Sequence, residues 1–389
     1  MGFHQTAAHK NGKDSFHQIG LVRGQFGNVD FGQWVKFVGA SRFDGWEEAS
    51  WELDLRQCDT DAGAAAYAKT RVDLAKANGL EIFTVAVHLQ GQALGDEPSA
   101  KTLQFIGGDA VKAYGDWRNA GHAPPRTDPY FVPDSVGKLI HAQAEKDLLA
   151  SVRLAGHLGK LQGRKVALPG FVGSPAGCWN HWFLFPPLPG EIAGHKLADV
   201  RDVSLDLIAE RFAPVWSLCK QYGVTFDLEC HPSERAMGDL ESAGDYIRHM
   251  EKAGFGGAVG FNLDGSHLEW QNVSVIQFIR EYGEYIHCAH VKGVQVEPEH
   301  CRGGRLGGHR GMGHWTNGWK FVTAGTQRDA NSLEEIFIEL NRVGYDGAVS
   351  IEWEDNDADQ MSGAKAALAN CRRADLPPSG MRHDEMLKA

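Results

Sequence analysis

No Cys-x-x-Cys pair occurs in these 389 residues, and the seven cysteines (58, 178, 219, 230, 288, 301 and 371) are odd in number and irregular in spacing. That speaks against a disulfide scaffold or a cysteine zinc site and for reduced thiols. There is no Lys/Arg block: 39 basic residues face 50 acidic ones, a formal net charge of −11. A polyanionic partner needs a basic face, so nucleic acid is not expected. No run approaches the roughly 20 apolar residues that cross a bilayer, and the opening MGFHQTAAHKNGKDSF lacks the apolar core of a signal peptide. The expectation is a soluble, cytoplasmic protein without membrane contact. Internal repeats are also missing, and nothing marks a second domain. Residues 1–389 are therefore read as one domain with a core of about 20–374 and polar extensions at both ends.

What is present is a core-forming composition, 42% hydrophobic and 23% charged, within the size range of one α/β barrel with insertions. Strand-like apolar runs alternate with helical patterns, as repeated β-then-α units require. Strands are predicted at Gln18 to Val22, Trp51 to Leu55, Glu81 to His88 and Lys165 to Val172, with helices from Phe31, over Ala62 to Ala77, Ser135 to Leu158 and Val203 to Tyr222. Four later strands complete the count of eight, the number of a (β/α)8 TIM barrel. Gly79, Gly223, Gly254 and Gly344 each stand between a helix and a strand, where a left-handed stop is wanted. Two long segments interrupt the rhythm after strands 4 and 7: GFVGSPAGCWNHWFLFPPLPGE and VEPEHCRGGRLGGHRGMGHWTNGW. Loops of that length in a compact domain are usually lids or binding loops.

The four later strands each end on a metal-competent side chain: VTFDLE on Glu229, AVGFNLD on Asp264, IHCAHV at His290 and AVSIEW at Glu352. In a barrel the C-terminal strand ends form the catalytic rim, so four strands would aim these groups at one point. Three carboxylates and an imidazole are a hard, oxygen-rich set. They suit one divalent ion, Mn²⁺ or Mg²⁺, and tolerate Co²⁺ or Zn²⁺.

The stretches FDLECHPSE, GFNLDGSHLEWQ, HCAHVKG and GYDGAVSIEWED resemble the xylose-isomerase-like TIM-barrel superfamily, in particular its sugar phosphate isomerase/epimerase members. The resemblance runs from about Gly20 to Ala374. It implies that Glu229, Asp264, His290 and Glu352 are metal ligands and that Glu229 and Glu352 act as bases on the two faces of a sugar. It also implies that His267 contacts substrate, with Glu234 near a substrate-contacting carboxylate and Glu52 placed to bind a hydroxyl. Two positions depart from the pattern: Gly293 stands where many relatives have Asp, and Val296 where ketose epimerases have Arg. Arg302, Arg305 and Arg310 in the following loop are the residues that can replace that arginine.

Other residues extend the expected site. His88, read as a strand end, and His181, in the aromatic loop, are single-base alternatives. Trp179, Trp182, Trp315 and Trp319 are candidates to stack on a sugar, and Lys292 alternates back to the face of His290, where it would meet substrate or a carboxylate ligand. The expected activity is a metal-dependent sugar isomerase or epimerase working through an enediolate. The alternative is a lyase that eliminates the leaving group of a 3-keto-glycoside. An endonuclease IV-like phosphodiesterase is a third reading, disfavoured by the acidic balance. The expected partner is a small sugar or sugar derivative, and a homo-oligomer is compatible with the sequence.

Overall fold

A strand covered on both faces has no solvent side to spare for polar residues, and the strands here are buried along nearly their whole length. In the computed structural model, residues 15–379 are described, apart from 182–185, 188, 233, 235–237, 308–309 and the side chains of 179–181. Eight parallel strands are β1 Ile19–Val22, β2 Gly45–Ala49, β3 Glu81–Ala86, β4 Leu168–Gly170, β5 Phe226–Glu229, β6 Val259–Asp264, β7 Ile286–Val291 and β8 Val349–Ile351. They form one sheet in the order β3, β2, β1, β8, β7, β6, β5, β4. Its ends meet through a parallel bridge between Thr84 and Ala167, with the Val85 and Val87 amides donating to the Ala167 and Pro169 carbonyls. Chain order and spatial order coincide, so the fold is a (β/α)8 TIM barrel.

Contacts group the described residues into two units, 15–46 with 78–80 and 264–379, and 47–77 with 81–263. In the first, β8 lies between β1 and β7, with Val349 paired to both Ile19 and Ala289. Helices Phe31–Ala40, Val275–Tyr282, Leu333–Val343 and Gln360–Ala374 belong to this unit. Below β1, the His17 amide and ring bind the Asp375 carboxylate at 2.6 and 2.8 Å, so the start of the barrel is tied to the residue that ends the last helix.

In the second unit the long helix Asp134–Gln162 buries Ile140, Ala144, Leu148, Ser151, Ala155 and Leu158, steps of three and four that make one stripe. It packs on helix Asp61–Ala77, whose buried residues are Ala64, Ala68, Val72 and Ala75. Burial of each large stripe residue is worth roughly 1.5–3 kcal/mol. The expected second strand at Trp51 to Leu55 is displaced: β2 lies six residues earlier, and 50–52 and 55–58 are short 3-10 turns. The cause is Glu47 and Glu48, both buried inside β2. Glu47 accepts from the Thr84 hydroxyl at 2.6 Å, and Glu48 takes a two-pronged bond from Arg71 at 2.8 and 2.7 Å. Paired carboxylates can be buried, but in sequence they read as surface. Three helices also stand where none was expected, His88–Gly95, Ala100–Ile106 and Gly108–Asn119.

The four glycine stops all have positive φ, at 69°, 65°, 89° and 79° for Gly79, Gly223, Gly254 and Gly344. The long loops do follow β4 and β7, and both carry hairpins: Glu191–Ile192 with His195–Lys196, and Gly293–Val296 with Trp319–Val322. Among the described residues no helix is long and apolar enough to cross a membrane. At the root of the first loop, helix His88–Gly95 touches the backbone of 171–173 so closely that a Cβ on Gly95 would sit 1.6 Å from the Val172 carbonyl oxygen. Gly95→Ala therefore forces two backbones apart and is expected to destabilise the protein by about 1–3 kcal/mol. Urea denaturation measures this; a midpoint equal to that of the parent chain would contradict the close approach.

Candidate metal centre

Asp264 is both the last residue of β6 and the N-cap of helix Gly265–Glu269. Its Oδ1 accepts from the Ser266 amide and hydroxyl at 2.9 and 2.7 Å, which fixes the carboxylate and turns Oδ2 to the Lys292 ammonium at 2.9 Å. His290 lies on β7, and its Nδ1 is 3.1 Å from Glu352 Oε2. Glu352 follows β8 directly, its amide still bonded to the Val291 carbonyl, and its Oε1 accepts from Gln25 Nε2 at 2.5 Å. Lys292 is buried, with Nζ 3.0 Å from Glu352 Oε2 and 3.1 Å from His267 Nε2. An ammonium can only donate, so His267 accepts through Nε2 and carries its proton on Nδ1. The Phe321 ring lies under Nζ at 4.7 Å. Glu354 is 3.8 Å from the same ammonium; burial pushes its carboxyl above the usual glutamate range against the pull of Lys292.

Glu229, the last residue of β5, is buried. Its Oε2 accepts from Asn262 Nδ2 at 2.9 Å and lies 3.0 Å from His88 Nε2. His88 is the first residue of helix His88–Gly95, not the end of a strand. The Phe171 ring meets its imidazole edge to face at 4.7 Å.

Glu229, Asp264, His290 and Glu352 form a buried cluster in which one ligand atom of each lies within 4.8 Å of the others. Ligands 2.0–2.6 Å from a common ion stand at most about 4–5 Å apart, so the spacing and the donor set both fit a divalent metal.

Glu52 is exposed on a 3-10 turn instead of lying on a strand. Glu234 is fully buried, and its Oε2 accepts from the Val172 and Gly173 amides at 2.8 and 2.5 Å. His267 and Lys292 face each other as described. Trp319 is buried and stacked on Trp270 at 4.3 Å, while Trp315 and Arg310 are exposed. Trp182 and the side chains of Trp179 and His181 lie outside the described residues. Gln25, Asn262 and Glu354 were not anticipated. The signal for the last two was present: each is two residues from a ligand candidate, Asn262 on the same strand face as Asp264 and Glu354 just beyond Glu352.

The family described as xylose isomerase-like TIM barrel matches residues 64–374, and the chain belongs to it. The Bacillus subtilis (strain 168) protein YfiH is 32% identical over 114 residues, 29% of this chain and 36% of that relative; the match thus spans about a third of the relative's length. Among solved structures, the 3-keto-D-glucoside 4-epimerase YcjR from E. coli superposes with TM-score 0.53 at 13% identity, over 92% of this chain and 99% of that one. The D-psicose 3-epimerase from Clostridium cellulolyticum H10 gives 0.51 at 16% identity, over 92% and 99%. The probable 3-DHS dehydratase AsbF from Bacillus anthracis gives 0.50 at 14%, over 90% and 97%. At these identities the likeness speaks for the fold.

Burial, reinforced by neighbouring Asp96, pushes the Glu234 carboxyl up to about 8 against the two amide hydrogen bonds. Between its ordinary value of about 4.3 and the raised one, the folded chain holds a proton that the unfolded chain has released. Its contribution is therefore fully present at acidic pH and lost as pH rises through 8. Glu234→Gln removes the titration. Urea denaturation at pH 5, 6.5 and 8 is expected to show the parent losing ground to the variant as pH rises; a constant difference would refute the protonated state.

Proposed function

We propose that this chain is a divalent-metal-dependent sugar isomerase or epimerase that removes a proton beside a carbonyl and proceeds through an enediolate. The observation that carries the reading is the buried convergence of Glu229, Asp264, His290 and Glu352. These residues would hold one divalent ion, Mn²⁺ being the best match to the set. When bound, the ion supplies Lewis-acid polarisation of the sugar carbonyl and acidifies the neighbouring C–H.

The protein's own groups account for the proton. Glu229 and Glu352 are the proposed bases, and each has a partner suited to the task. His88 at Glu229 Oε2 can pass a proton on or return it, and Asn262 holds the carboxylate in place. Gln25 donates to one oxygen of Glu352 and Lys292 to the other. Lys292 also offsets the negative charge gathered by Asp264 and Glu352, and His267 is placed to bind a substrate hydroxyl beside it. The burial of these groups raises the strength of each electrostatic contact.

A second reading is β-elimination on a 3-keto-glycoside, which passes through the same enediolate and then expels a leaving group. It is favoured by the aromatic composition of the long segment after β4, a composition suited to an aglycone, and by two of the structural neighbours, one named for a 3-keto-D-glucoside and one for a dehydratase. In both readings the substrate is a small sugar derivative, and cytoplasmic location fits the sequence.

Chelation is expected to abolish turnover, and Mn²⁺, Mg²⁺ or Co²⁺ to restore it better than Ca²⁺, in an assay comparing ketoses with 3-keto-glycosides. Full activity in verified metal-free protein would overturn the role of the ion. Substrate turned over in D₂O is expected to gain deuterium at the carbon beside the carbonyl. Glu352→Gln and His88→Ala should slow this exchange and turnover together, by about 10²- to 10⁴-fold for the residue that is the working base. Turnover with a C–H deuterium label fully retained would point to hydride transfer or hydrolysis instead.

A further inference from the structure

Three successive amides at the root of the loop after β4 are held by two carboxyl groups, one buried and one half-buried. Glu234 Oε2 accepts from Val172 and Gly173 at 2.8 and 2.5 Å, and Asp96 Oδ1 accepts from Ser174 at 2.7 Å. One residue earlier, Phe171 presses its ring on His88 at 4.7 Å and on His231 at 5.0 Å. We propose that Glu234 and Asp96 are positioning residues: by fixing the backbone of 172–174 they seat Phe171 against His88 and so set the imidazole that meets Glu229.

The segment has little freedom to reach this arrangement any other way. On one side lies helix His88–Gly95, where a Cβ on Gly91 would sit 2.0 Å from the Phe171 carbonyl oxygen. Gly173 has φ +72°, and a Cβ there would meet the Asp96 amide at 2.6 Å. Asp96 is the C-cap of the helix that His88 begins. Its side chain is held by Gln92 Nε2 at 2.7 Å and its carbonyl lies 3.0 Å from His141 Nε2. Arg211 donates to the neighbouring Gly95 carbonyl. One helix thus carries the loop anchor at its end and the imidazole at its start, and Phe171 bridges the two.

Glu234 Oε2 accepts two of the three amides at once, and Asp96 supplies the acceptor for the third.

This inference rests on the proposed role of His88, but its test needs neither substrate nor turnover. In the full chain, with Mg²⁺ and after chelation, amide hydrogen exchange of residues 172–174 and the ¹H–¹³C resonances of the His88 ring are followed. Phe171→Leu removes the ring current and locates the His88 signal that depends on it. Glu234→Ala is expected to speed exchange of the Val172 and Gly173 amides roughly tenfold or more and to move the His88 resonances toward their Phe171→Leu position. Glu234→Gln, which keeps an accepting oxygen, should restore both. Glu234→Asp keeps the carboxyl group and withdraws it by one methylene, so it carries the test if the alanine variant does not fold. His88 resonances unmoved by Glu234→Ala or Glu234→Asp, or amides that keep their protection, would overturn the proposal. Failure of the sugar chemistry would leave these readouts unchanged, so the two ideas are separable.

Discussion

The Lys292 ammonium is the contact on which the acidic rim depends. It lies 2.9 Å from Asp264 and 3.0 Å from Glu352 while being almost wholly buried. Removing one partner from such a buried ionic group typically costs about 3–5 kcal/mol, because the charge left behind has lost its water as well as its partner. Everything near Lys292 follows from that constraint. His267 presents a lone pair to it, and Phe321 the negative face of its ring. Glu354 drifts toward the protonated form as its own burial outweighs the distant attraction of the ammonium.

The same rule is met differently on the other strands. Glu229 is satisfied by an amide and an imidazole, Glu48 by an arginine fork and Glu47 by a hydroxyl. Glu234 and Asp96 take backbone amides. The donors thus range from a guanidinium to a backbone amide.

The barrel was legible because strands buried on both faces leave long apolar runs, and because the helices stop at glycines that the left-handed turn requires. The strand-end positions of Glu229, Asp264, His290 and Glu352 were legible for the same reason: each closes such a run. β2 was not, since Glu47 and Glu48 look like surface until Arg71 and Thr84 are seen beside them. The helix His88–Gly95 was not legible because its sequence, HLQGQALG, gives no apolar stripe, and its glycines 91 and 95 pack directly on backbone. Type and spacing mark a carboxylate or indole as able to bind a sugar, but do not reveal the partners that Glu234 and Trp319 hold in the fold, backbone amides and the Trp270 ring.

The tie between His17 and Asp375 spans 358 positions, and β1 completes its pairing only when Val349 arrives. A ribosome making about 5–20 residues per second takes tens of seconds to cover that distance. For that interval the nascent chain carries Ile19 and Leu21 without the strand that will cover their backbone. The opening segment is therefore a natural site for chaperone capture during synthesis, and a truncation before residue 349 would leave it permanently in that condition.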